Sequence, residues 1–160
     1  MQAPKVFFSY SHDSEEHKAW VLALATRLEE NGVAVTLDQW DLSAGDDLPH
    51  FMESGLTDAD RVILICTEPY VKKANEMRSG GVGYEKMIIT AQIMADLGSN
   101  RVIPIVVNNN LSTKTPVFVS SKLYSSFEQS DYEDSYCHLI SDLWGESVKP
   151  RPKRGVSPFA

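Results

Sequence analysis

The 160 residues suffice for one domain with a sizeable core, and a hydrophobic content of 42% argues for a globular chain over a disordered one. The formal net charge of −7 is uneven: up to Val148 there are 11 basic against 22 acidic residues, and from Lys149 onward four basic and none acidic, so the body of the chain repels nucleic acid. No apolar run approaches the ~18 residues of a membrane span, Met1-Gln2-Ala3-Pro4-Lys5 has no signal-peptide character, and Cys66 and Cys137 lack metal-ligand spacing, which together point to buried free thiols in a reducing cytoplasm.

Lys5-Val6-Phe7-Phe8-Ser9-Tyr10-Ser11 reads as a short buried strand that ends in small polar residues. Asp13 and Glu16 have capping-box spacing, and Trp20, Val21, Leu24 and Leu28 then mark an amphipathic helix stopped by Asn31-Gly32. Val33 to Leu37 is a second strand, ending at Asp38, which either caps the following turn or faces a ligand. Gln39 to Pro49 is a long polar loop; Leu48, Phe51, Met52 and Leu56 predict a short helix after it. Arg61-Val62-Ile63-Leu64-Ile65-Cys66 is a nearly all-apolar third strand whose Cys66 reads as core. Thr67 to Gly80, interrupted by Pro69, reads as a polar irregular loop.

Three glycines within four residues follow, at Gly80, Gly81 and Gly83, and break regular structure. Behind them Tyr84, Ile88, Ala91 and Ala95 share a helical face, which predicts a helix with Glu85 in its first turn. A carboxylate there complements the helix dipole whether or not it has a further role. Arg101 to Val107 is a fourth strand; Pro104 lacks an amide donor and places it toward an edge or at a bulge. Val117-Phe118-Val119 and Leu123-Tyr124 are candidates for a fifth, and Asp131 to Trp144 for the last helix, with Tyr132, Tyr136, Leu139, Ile140 and Leu143 inward. Lys149 to Gly155 has linker composition.

Alternating apolar strands and amphipathic helices predict an α/β fold: a flavodoxin-like, doubly wound parallel sheet of about five strands in the order 2-1-3-4-5. Ligands of such sheets bind at the carboxyl ends of the strands, near the switch between the first and third. Ser9 to Asp13, Asp38 to Pro49 and Thr67 to Glu85 should converge there. Tyr10 and Ser11 could contact a ligand or only close their strand. His12 and His17, flanking a helix start, read as solvated, and His50 and His138 are isolated; no metal site is expected.

At this point the chain resembles the Toll/interleukin-1 receptor (TIR) domain family, in its bacterial, SEFIR-like branch. Phe7 to Ser11 is similar to the family's first box. Leu37-Asp38, followed by Leu42-Ser43-Ala44-Gly45-Asp46, resembles the second-strand end and the mobile BB loop. Gly81-Val82-Gly83-Tyr84-Glu85 stands where enzymatic members carry Trp-x-x-x-Glu; Gly81 takes the tryptophan position, and Tyr84 or Trp40 offers an aromatic surface instead. The resemblance spans roughly residues 5 to 146, with a TIR domain over 1–148 and a basic linker over 149–160 leading to a sensor domain.

The resemblance implies cleavage of NAD+ at the nicotinamide–ribose bond, with NAD+ as substrate and no cofactor. Glu85 would be catalytic, and Phe8, Ser9, Tyr10, Ser11, Asp38, Ser43, Gly45, Gly81 and Tyr84 would bind the dinucleotide. It further implies self-association through the BB loop, Gln39 to Pro49, in a cytoplasmic bacterial anti-phage protein, with neither nucleic acid nor membrane as partner. Two rivals remain beside it: a non-catalytic assembly module, and a deoxyribosyltransferase-like glycosidase that also uses a glutamate. A receiver domain of the same topology would need an acidic pair after the first strand and an aspartate after the third, where Ser9-Tyr10 and Cys66-Thr67 stand.

Overall fold

Strand pairing is parallel throughout. The computed structural model describes residues 2–76, 87–97 and 101–159, and within them a five-stranded sheet runs in the order β2-β1-β3-β4-β5. The strands are β1 Lys5–Ser9, β2 Ala34–Thr36, β3 Arg61–Cys66, β4 Val102–Val106 and β5 Ser125–Ser126. Central β3 pairs with β1 from Val6↔Arg61 to Ser9↔Leu64, and with β4 from Val62↔Val102 to Cys66↔Val106. The expected fold class and strand order are as observed.

Strand side chains alternate between two apolar layers. Val6, Phe8, Ile63, Ile65 and Ile105 face α1 (Glu15–Glu30) and α6 (Tyr132–Trp144). Phe7, Val62, Leu64, Cys66 and Val106 face α3 (Leu48–Asp58), α4 (Glu68–Glu76) and α5 (Ala91–Leu97). Coverage of both faces is why the strands read as unbroken apolar runs. Gly55 lets α3 approach closely: a Cβ there would lie 2.5 Å from the Phe7 ring.

Several expectations need correction. Of the two thiols expected to be buried, Cys66 is, but Cys137 lies on the exposed face of α6. The cap of α1 is Ser14, whose side chain accepts from the His17 amide, one position beyond the expected Asp13. Thr67 to Glu76 is no irregular loop: Thr67 Oγ1 accepts from the Tyr70 amide at 3.3 Å and caps α4. Pro69 then sits in the first helical turn, where its missing N–H has no intrahelical acceptor to lose. The start expected for the next helix, at Tyr84 and Glu85, lies outside the described residues; within them Met87 has φ 71°, residues 88–90 are not helical, and the helix runs from Ala91 to Leu97. Val117–Val119 forms a 3-10 turn, and the fifth strand is Ser125–Ser126. Pro104 lies in β4 ahead of Ile105 and Val106, the two residues that β5 covers, so its position is edge-like as expected.

The polar stretch after β2 starts with a single turn, α2 (Asp38–Asp41). Among the described residues no helix is long and apolar enough to cross a membrane.

Candidate functional site

The carboxyl ends of β1, β2 and β3 carry a set of polar side chains that the fold buries and pairs with one another. Taking such groups out of water is unfavourable unless each finds a partner, so their pairing defines the site.

Ser9 ends β1. Its hydroxyl bonds the Tyr70 hydroxyl of α4 at 2.8 Å and donates to the Met87 carbonyl, while the Ile89 amide donates to Tyr70 at 3.3 Å. These bonds hold Met87 in its left-handed conformation, which opposes a cost of about 1–2 kcal/mol for a residue with a side chain.

Tyr10, fully buried, donates to Asp38 Oδ1 at 2.6 Å and accepts from Gln39 Nε2 at 2.9 Å. The other Asp38 oxygen meets His12 Nε2 at 2.8 Å. Burial pushes the Asp38 carboxyl up, but the bonds from His12 and Tyr10 outweigh it and hold the group below the ordinary carboxylate range. Burial, with Asp38 beside it, pushes the Tyr10 phenol far up, so it stays a donor. Asp38 is 7% exposed and His12 25% exposed, so the histidine forms the open face of this network.

A second knot joins β1 to β3. Ser11 donates to Asp13 Oδ1, and Thr67 Oγ1 donates to Asp13 Oδ2 at 2.6 Å. His17, at 4.0 Å from Asp13 Oδ2, packs against Tyr10 and Trp20. Burial lowers its pKa, against an opposing pull from Asp13.

Trp40, within α2, is 42% exposed, and the chain beyond α2 is mostly exposed as far as Asp47. The Ser43 amide donates to Asp46 Oδ2 at 2.7 Å and the Asp46 amide to the Ser43 carbonyl at 3.0 Å, closing a turn whose third residue, Gly45, has φ 93°. That backbone conformation favours glycine. A groove of about 320 Å³ lies between this turn and α3, lined by Leu42, Asp47, His50, Phe51 and Asp58 among others.

The structure therefore gathers Ser9, Tyr10, Ser11 and Asp38 at one rim, and puts Ser43 and Gly45 on the exposed turn. Phe8 is fully buried in the core, and Ser9, Tyr10 and Ser11 are fully buried within the rim. Gly81, Tyr84 and Glu85 lie outside the described residues. Sequence reasoning missed His12, Asp13, Thr67 and Tyr70. It took His12 and His17 as solvated, whereas one is bonded to Asp38 and the other is buried. The available signal was position: each missed residue stands within a few places of a strand's carboxyl end. Among the described residues no three His, Cys, Asp or Glu side chains are placed to hold a metal ion.

A family model described as TIR domain matches residues 6–140. The chain belongs to the TIR domain family. This TIR domain superposes on a prokaryotic SEFIR domain with a TM-score of 0.79 and 41% identity, covering 89% of this chain and 99% of that one. It superposes on the TIR domain of the Toll-related receptor TRR-2 of Hydra magnipapillata with a TM-score of 0.62 and 17% identity, over 87% of this chain and 97% of that one, which is a likeness of fold. Over 66 residues it is 38% identical to the 2′ cyclic ADP-D-ribose synthase BtTIR of Bacteroides thetaiotaomicron. That match takes in 41% of this TIR domain and spans about a quarter, 23%, of the relative's length.

Proposed function

We propose that this TIR domain cleaves NAD+ at the bond between nicotinamide and ribose, with Glu85 as the catalytic carboxylate. The observation that carries the reading is the buried polar rim at the carboxyl ends of β1 to β3, in a family with a relative named for making cyclic ADP-ribose. Glu85 itself is assigned from its match to the family's catalytic glutamate. The described chain resumes two residues after it, at Met87, whose carbonyl Ser9 binds at the end of β1.

The chemistry suits one carboxylate. Nicotinamide is already a cationic leaving group and departs neutral, so no strong general acid is needed. Departure leaves an oxocarbenium-like ribose. A fixed negative charge near the ribose hydroxyls stabilises that developing cation more than the ground state. Water then yields ADP-ribose; a hydroxyl of the same molecule yields a cyclic product. Ser43 and Gly45 would contact NAD+ only when the 39–49 segment folds over the rim, and we connect that movement with stacking of copies in a cytoplasmic defence protein.

The test is nicotinamide release from NAD+, followed for the wild-type chain in dilute solution and when artificially clustered. Release supports the reading. No release at any density leaves a non-catalytic assembly module, a reading that exposed Trp40 and the groove between the 43–46 turn and α3 favour.

A further inference from the structure

The His12–Asp38–Tyr10 arrangement does more than bury a charge. Asp38 accepts from Tyr10 with one oxygen and meets His12 with the other, so each of its oxygens has a partner inside the protein. A carboxylate at 2.8 Å from Nε2 fixes the ring's hydrogen on that nitrogen. The lone pair of a neutral ring is then on Nδ1, which has no hydrogen-bond partner among the described residues. Of the three side chains His12 alone has substantial exposure, and it stands at the β1 end of the crevice where an open parallel sheet takes its ligand. The Ser11–Asp13–Thr67 knot clamps the residues on either side of it to β3.

From this geometry we infer that His12 is the base that accepts the proton of the attacking hydroxyl, and that Asp38 is its positioning residue. The inference rests on the NAD+-cleaving reading and adds the second half of the reaction to it. The C1′–N bond breaks, and its electron pair leaves with nicotinamide, which becomes neutral. A hydroxyl oxygen, from water or from a ribose of the same molecule, forms the new bond to C1′. Its proton passes to His12 Nδ1 and from there to solvent, while Asp38 stabilises the imidazolium. Among the described residues, the charged and titratable groups facing His12 are Asp38 and Tyr10, with Asp13 and His17 close by.

The experiment measures steady-state NAD+ turnover of the clustered full chain for wild type, His12→Gln, His12→Gly and Asp38→Asn, with melting curves. His138→Gln, on the exposed face of α6, is the control that keeps wild-type rates. The expected result is a loss in kcat on the order of 10²-fold for His12→Gln with little change in KM. Added imidazole should restore rate to His12→Gly, and Asp38→Asn should lose kcat while His12 is still present. A His12→Gln protein with wild-type kcat overturns this inference and leaves the NAD+-cleaving reading standing. A wild-type chain that consumes no NAD+ overturns both. If His12→Gln melts early, the ring ¹⁵N resonances of wild-type His12 decide: ADP-ribose should move Nδ1, and an unmoved resonance overturns the assignment.

Discussion

His17 is 5% exposed, and among the described residues neither of its ring nitrogens has a hydrogen-bond partner. Burial favours its neutral form, so the folded-state pKa lies below the ordinary value, with Asp13 pulling the other way and His12 adding to the depression. Between the two pKa values the unfolded chain binds the extra proton. Its contribution to stability is therefore fully present above about 6.5 and declines as pH falls through that value. Replacing the ring by leucine removes the titration. His17→Leu should lose less melting temperature between pH 7.5 and 5.5 than wild type does, and parallel curves would contradict the buried neutral histidine. Neither His17 nor His12 was legible as a site residue. The sequence shows only that both flank a helix start, and their surroundings come from α2 and from Trp20 one turn on.

At the scale of elements, long apolar strands were legible because a sheet covered on both faces demands them, and α1, α3 and α6 because their apolar spacing is regular. What misled were residues whose meaning depends on a neighbour. Pro69 reads as a breaker until Thr67 is seen to cap the helix that contains it. Ile88 fits a helical face in sequence, yet Ser9 and Tyr70 hold residues 87–89 in another conformation. β5, two residues long, carries too little pattern to be found. Gly55 is the element-scale test, because α3 rests on the Phe7 ring where a Cβ cannot fit. Gly55→Ala should destabilise the fold by about 1–3 kcal/mol by overpacking, although alanine is the better helix former. Chemical denaturation measures it, and a variant as stable as wild type would mean that α3 is not seated on β1 in this way.

Taken whole, the molecule separates its tasks. Two apolar layers hold the sheet, a buried polar rim lies at its carboxyl edge, and the 39–49 segment is tied to that rim by Gln39 while Trp40 and the 43–47 turn are exposed. The rim was legible from strand-end positions, as Asp38 and Tyr10 show, while the turn that carries Ser43 and Gly45 is set by a local bond to Asp46 that strand and helix periodicity does not reveal. If neighbouring copies press that segment over the rim, specific NAD+ consumption should rise several-fold from dilute to clustered protein, and a flat response would contradict the link between assembly and activity.

The central claim concerns Glu85, and one comparison tests it most directly: nicotinamide release and thermal melting for wild type, Glu85→Gln and Glu76→Gln. Glutamine keeps the size of the side chain and removes its charge. Glu76, the last residue of α4, is the control. Loss of a charge that stabilises an oxocarbenium-like transition state should lower turnover by on the order of 10²–10³ while the melting temperature barely moves and Glu76→Gln keeps its rate. A Glu85→Gln protein that releases nicotinamide at the wild-type rate, or one that loses activity only because it unfolds, would contradict the account.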